Sequence, residues 1–133
     1  LILNKGAGTT AADTATMSCP LNTTVGSTYT ISVWLKSTDG VSQPKVSLSF
    51  NGEASANITV TGEWRRYQTT IPSATDASRF PRLQLRGGFG TSDSADLLVW
   101  GWQQEALPFA SSYIPTAGAA VTRAADACWI QMA

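Results

Sequence analysis

The stretch Thr28-Tyr29-Thr30-Ile31-Ser32-Val33-Trp34-Leu35-Lys36-Ser37 alternates without a break. Tyr29, Ile31, Val33 and Leu35 fall on one face, Thr30, Ser32, Trp34 and Lys36 on the other. Successive side chains of a strand point to opposite faces, so this period of two predicts a strand with one side on a core and the other toward solvent. Gly26 opens it and Asp39-Gly40 closes it.

The same rhythm recurs outward from this segment. Val46, Leu48 and Phe50 share a face, as do Ala54, Ala56, Ile58 and Val60, with Asn51-Gly52 between them. A two-residue loop would set Leu48 opposite Ser55, an apolar face beside a polar one, so a three-residue loop with Gly52 left-handed is expected, pairing Leu48 with Ala54 and Val46 with Ala56. Trp64 to Ile71 alternates until Pro72. Phe80 to Arg86 points Leu83 and Leu85 inward and Arg82, Gln84 and Arg86 outward. Leu97 to Gln103 is the most apolar strand, with Leu98, Trp100 and Trp102 on one face and Leu97, Val99 and Gly101 on the other. A last candidate runs from Ala127 to Met132. Residues Gly6 to Pro20 carry little period and read as a weak edge strand or a lead-in.

Seven or eight short strands separated by turn signals, with no helical period, predict an all-β antiparallel β-sandwich, and the jelly roll is the preferred topology. The 133 residues make one domain, 1–133, whose start at Leu1-Ile2-Leu3 without an initiator Met suggests a piece of a longer chain. Nine Lys and Arg balance nine Asp and Glu. That balance removes the basic footprint of a nucleic-acid or anionic-membrane binder and favours a neutral partner. No apolar run approaches the ~20 residues of a membrane span.

The histidine count is zero, which excludes a Ser-His-Asp triad, a Cys-His dyad and any His-ligated metal within this sequence. Cys19 and Cys128 leave two readings open, one disulfide near the chain ends or two thiols. Paired carboxylates are the one catalytic apparatus left, yet Asp39, Glu63 and most other acids sit in turns, and no two share a strand face by register. Asp93-Ser94-Ala95-Asp96 lacks the ligand density of a calcium loop, so no cofactor or metal is expected. Gly87-Gly88-Phe89-Gly90 is a strand connection with no phosphate-loop Lys after it. Phe89 at its tip either packs back or meets a ligand.

Five tryptophans in this length point to a sugar-binding surface, since indole faces stack on pyranose C–H groups while Arg, Gln and Lys donate to hydroxyls. Trp34 and Lys36 face away from the core, as do Arg82, Gln84 and Arg86. If their strands share a sheet they form one aromatic-plus-donor surface. With Phe89 and Trp102 these are the candidate ligand-binding residues; the bland reading covers Trp34 with a loop or a subunit and sends Trp102 to the core.

The segments Val99-Trp100-Gly101-Trp102-Gln103-Gln104-Glu105, Phe109-Ala110-Ser111-Ser112-Tyr113-Ile114-Pro115-Thr116 and Val121-Thr122-Arg123-Ala124-Ala125-Asp126 resemble a recurrent ending of domains in bacteriophage tail-fibre and tailspike proteins. Tyr29 to Ser37 and Gly62-Glu63-Trp64-Arg65-Arg66-Tyr67 are similar to strands of the jelly-roll, carbohydrate-binding-module-like domains of such proteins. The sequence departs from that pattern at Gln104, usually aliphatic, and at Trp102, usually small. The resemblance implies a non-catalytic adhesin domain of a phage tail, outside the cell when functional, attaching to a host cell-surface glycan. It also implies a homotrimer, and hence the alternative of a trimerisation or spacer domain without a ligand.

Overall fold

A computed structural model describes residues 1–19, 23–50, 55–72, 74–75, 77 and 81–115. Its strands are β1 (Ile2–Asn4), β2 (Thr14–Ser18), β3 (Tyr29–Ser37), β4 (Lys45–Phe50), β5 (Ser55–Thr59), β6 (Arg65–Ile71), β7 (Pro81–Arg86) and β8 (Ser94–Glu105). They form two four-stranded sheets in the orders β1-β8-β3-β6 and β2-β7-β4-β5, and all neighbours are antiparallel.

This order is a jelly roll. The pairs β1 with β8, β2 with β7, β3 with β6 and β4 with β5 nest inside one another like one long hairpin, which then wraps so that β8 also meets β3 and β7 also meets β4. Every connection except β4 to β5 crosses from one sheet to the other. The core lies between the layers, as in any two-layer sandwich. Ile31, Val33 and Leu35 of β3, Val46, Leu48 and Phe50 of β4, Leu83 and Leu85 of β7 and Leu97 of β8 are fully buried there. All of these but Leu97, whose strand is apolar on both faces, are residues that the period-two pattern groups on one apolar face.

Three local features add to the expectations or change them. The weak edge strand expected within Gly6 to Pro20 forms as β2, and a further edge strand, β1, precedes it on the other sheet. Thr14 to Ser18 has no large apolar residue except Met17, because an edge strand of a sandwich needs little burial to be held by its ladder. On the β4–β5 pair, Leu48 lies opposite Ala56 and Val46 opposite Ile58. Apolar still meets apolar, but the register is displaced by two residues from the expected pairing of Leu48 with Ala54 and Val46 with Ala56. The turn itself falls on residues outside those described, as does the Ala127–Met132 strand.

The third change is a bulge in β8. Trp100 pairs with Trp34 and Gln103 with Ser32, so Gly101 and Trp102 together oppose Val33. Gly101 has φ +68°, a conformation that costs a residue with a Cβ and costs glycine little. One extra residue inverts the parity of everything after it. Leu98 and Trp100 stay on the outer face, while Trp102 swings inward and packs against the core. Trp100 and Trp102 therefore do not share a face.

Candidate functional site

The outer face of the β1-β8-β3-β6 sheet carries the aromatic residues. Trp34 sits mid-strand on β3 with Trp100 of β8 on one side and Arg66 of β6 on the other. The Trp34 and Trp100 rings lie 6.3 Å apart, inclined at 54°. Trp64, immediately before β6, completes an open depression of about 390 Å³ lined by Trp34, Trp64 and Trp100. Trp64 is 45% exposed and Trp100 52%. Lys36 lies on the same face two residues beyond Trp34, opposite Leu98.

The chain after β8 also meets this face, with Tyr113 lying against Trp100. Residues 106–115 fold back over this outer face and reach Thr30; both Thr30 and Ser32 are buried, although alternation alone would leave them in solvent. Thr30 Oγ1 donates to the Leu107 carbonyl at 2.7 Å, and Arg66 Nη2 donates to Ser32 Oγ at 2.9 Å. The bulge turns Gln103 and Glu105 outward, and they fasten the returning chain. Gln103 Oε1 accepts from the Ile114 amide at 2.7 Å, and Gln103 Nε2 donates to the Ser112 carbonyl at 3.2 Å. Glu105 Oε1 accepts from the Ser111 amide at 2.9 Å, and its other oxygen accepts from Ser111 Oγ. Burial opposes ionisation of Glu105, but the hydrogen bonds from Ser111 and Gln103, with the Arg66 charge, outweigh it and hold the carboxyl below its usual range. This fastening sets the Tyr113 ring 4.8 Å from Trp100, inclined at 47°.

The expected union of Trp34 and Lys36 with Arg82, Gln84 and Arg86 does not form. Trp34 is on β3 and the three polar residues on β7, which belong to different sheets. Facing outward from opposite layers, they lie on opposite sides of the sandwich. Each β7 residue is engaged where it stands. Gln84 is 6% exposed and donates Nε2 to Thr14 Oγ1 at 2.9 Å. Arg86 donates Nε to the Ala11 carbonyl at 3.3 Å, and its guanidinium lies 4.4 Å above the Phe89 ring. Phe89 therefore packs back on Arg86 while remaining 40% exposed. Arg82, partly buried, has its pKa lowered by desolvation and by the like charge of Arg86.

Trp102 is not part of the aromatic face. Trp100, Trp64 and Tyr113 are, although alternation gave no reason to choose them: both faces of β8 are apolar, Trp64 precedes its strand, and Tyr113 lies in irregular chain. The carboxylates of Asp39, Asp13, Asp93 and Asp96 serve local structure. Asp39 accepts from the Val41 and Ser42 amides at 2.8 Å and from Ser42 Oγ, bonds that lower its pKa to about 2. Asp13 accepts from the Thr10 amide at 2.9 Å and hydroxyl at 2.7 Å. Asp93 pairs with Lys5 at 2.7 Å, and Asp96 accepts from Thr38 Oγ1 at 2.9 Å. Among the described residues no group of three or more acidic, cysteine or histidine side chains is placed to hold a metal. Cys19 is a half-buried free thiol whose pKa burial raises, while Cys128 lies outside the described residues. No helix among them is long and apolar enough to cross a membrane.

No family model matches the sequence, and no curated protein matches it. A solved structure described as "BiXyn10A CBM1 APO" is similar with a TM-score of 0.43 and 13% identity, over 63% of this chain and 60% of that one. The similarity thus spans less than two thirds of that chain's length.

Proposed function

We propose that this domain binds a carbohydrate, without acting on it chemically, on the outer face of the β1-β8-β3-β6 sheet. One observation carries the reading: Trp34, Trp64 and Trp100 converge on an open depression from three different strands or turns. Large aromatics are usually covered, and two of these three are about half exposed. Exposed indoles held on strands form a rigid apolar floor with donors at its margin, which suits pyranose C–H faces and their hydroxyls. Arg66 lies across the ladder from Trp34, and Lys36 lies two residues beyond Trp34 on the same face. None of the three lining residues carries a carboxylate or nucleophile. Taken with the phage-like segments of the sequence, the ligand is a glycan of a host cell surface and the domain a tail-fibre adhesin working outside the cell.

The exposed apolar Leu98 beside Trp100 favours a second reading, in which this face packs against neighbouring subunits of a trimeric spacer. A glycan array probed with the purified chain, followed by tryptophan fluorescence titration of any hit, separates the two. The expected result is binding that weakens about tenfold or more in Trp100→Ala and is unchanged in Arg82→Ala on the opposite face. Silence across the array, together with a trimer by light scattering that Trp100→Ala dissociates, refutes the adhesin reading in favour of the spacer.

A further inference from the structure

We infer that the outer face of the β2-β7-β4-β5 sheet is a second binding site, for the sulfate, phosphate or carboxylate groups of an acidic polysaccharide. This face belongs to the other layer of the sandwich from the aromatic depression, so the two sites stand or fall separately.

The ladders bring like charges together here. Arg82, Gln84 and Arg86 point outward from β7, and Lys45 points outward from the neighbouring β4. Antiparallel pairing of Ser47 with Gln84 sets Lys45 and Arg86, each two residues on, at the same end of that pair. The remaining outward positions of the four strands carry only serine, threonine and asparagine, with no carboxylate among them. In a chain whose nine cationic and nine acidic residues balance, three cations on one face without an acid make a local field that attracts anions.

Much of the donor capacity on this face is unspent. The exposed Lys45 ammonium makes no hydrogen bond or ion pair among the described residues. Arg86 donates Nε to the Ala11 carbonyl and rests on the Phe89 ring, which leaves its two terminal nitrogens without a partner among those residues. The Phe89 carbonyl accepts from Asn57 Nδ2, so the loop beneath that guanidinium is tied to β5. Ser47 lies between Gln84 and Asn57 across the ladders. It is 0% exposed and its hydroxyl has no partner, a cost that nearly all buried polar groups avoid; the Gln84 amide beside it turns to Thr14. Ser47 lies under its longer neighbours, and an oxyanion held between Lys45 and Arg86 is the group placed to reach it. Such an anion matches the guanidinium fork and accepts from ammonium and hydroxyl together. The hydroxyls and amides between the cations suit the sugar hydroxyls of the same ligand, whereas a nucleic acid calls for a basic surface that this neutral chain lacks.

Affinity electrophoresis of the folded chain at low ionic strength, through gels holding dextran, dextran sulfate or polygalacturonate, tests this, beside a mobility-shift assay on a DNA duplex. The expected result is retardation by dextran sulfate or polygalacturonate and none by neutral dextran. Binding should weaken about threefold in Lys45→Gln and in Ser47→Ala, and about tenfold in Arg86→Gln, with circular dichroism unchanged. Arg65→Gln, which removes the same charge from β6 of the other sheet, should leave it as it was. Ser47→Ala should also keep or raise Tm, because its hydroxyl has no partner to lose. No retardation in either acidic gel, equal retardation by dextran, or unchanged binding in any of Lys45→Gln, Ser47→Ala and Arg86→Gln overturns the inference. So does Arg65→Gln weakening binding as much as Lys45→Gln, or a DNA duplex bound as tightly as the acidic polysaccharides. Each of these outcomes leaves the aromatic face untouched, since binding there is read through Trp100→Ala.

Discussion

Replacing Gly101 by Ala tests the bulge that separates the two faces of β8. The backbone there has φ +68°, a left-handed conformation costing an L-residue about 1–2 kcal/mol. The added methyl would also sit 3.0 Å from Trp34 Cδ1, tighter than ordinary carbon contact. Trp34 is hemmed in by Trp100 and by Arg66 in register, so relief requires an indole shift, which adds about 1 kcal/mol by analogy with other overpacking. The sum is about 2–3 kcal/mol. For a chain of 133 residues, each kcal/mol lowers Tm by roughly 3–6 °C. The expected fall is about 6–18 °C, measured by thermal unfolding with far-ultraviolet circular dichroism. Gly40→Ala is the internal control: its φ is +71° and nothing lies within 4 Å of the added carbon. It should show the backbone cost alone, about 1–2 kcal/mol. The near-ultraviolet signal of the Trp34–Trp100 pair should change in Gly101→Ala and not in Gly40→Ala. Equal Tm shifts in the two variants, with an unchanged aromatic signal, would refute the claim that Gly101 braces Trp34.

Leu48→Ala removes a fully buried side chain between the sheets and should cost about 2–5 kcal/mol in denaturant unfolding. A cost below about 1 kcal/mol, half the low end of that range, would place β4 outside the core. Asp39, with its pKa depressed to about 2 from 3.8, contributes stability that is complete above pH 3.8 and lost as pH falls toward about 2. Tm against pH should therefore decline less steeply across that window in Asp39→Asn than in the parent. Glu105 is also depressed, from 4.5, so its contribution is complete above that pH and is lost as pH falls through its lower folded value. Glu105→Gln should flatten that part of the Tm profile and raise iodination of Tyr113 at neutral pH, because Ser111 loses its charged acceptor; unchanged Tyr113 reactivity would mean that Glu105 does not hold the returning chain.

The strands were legible because their signal is local. Ile31, Val33 and Leu35 had to face a core whatever lay opposite, since a period of two leaves no other way to bury them together. The same alternation sent Trp34, Lys36, Arg82, Gln84 and Arg86 outward, and the structure keeps them there. The two-layer class follows from many short half-buried strands, each needing a second sheet to cover it. Turn residues such as Asp39-Gly40 declared themselves by chemistry.

Partnership between distant segments was not legible. Alternation says that β3 and β7 each have an outer face, but not that those faces lie on opposite sides of the sandwich; the nesting of all eight strands decides that. Parity also assumes an unbroken ladder, and one residue inserted at Gly101 returned Trp102 to the core and turned Gln103 and Glu105 out to hold the segment bearing Tyr113. Trp100 joined the site because cross-strand register set it beside Trp34, 66 residues away in the chain. Sequence by itself determined which side of β3, β4 and β7 meets the core, because burial of alternate side chains is a local requirement. Only the tertiary structure decided which aromatics meet, because register, sheet membership and the bulge are settled by pairing between segments that no local pattern links.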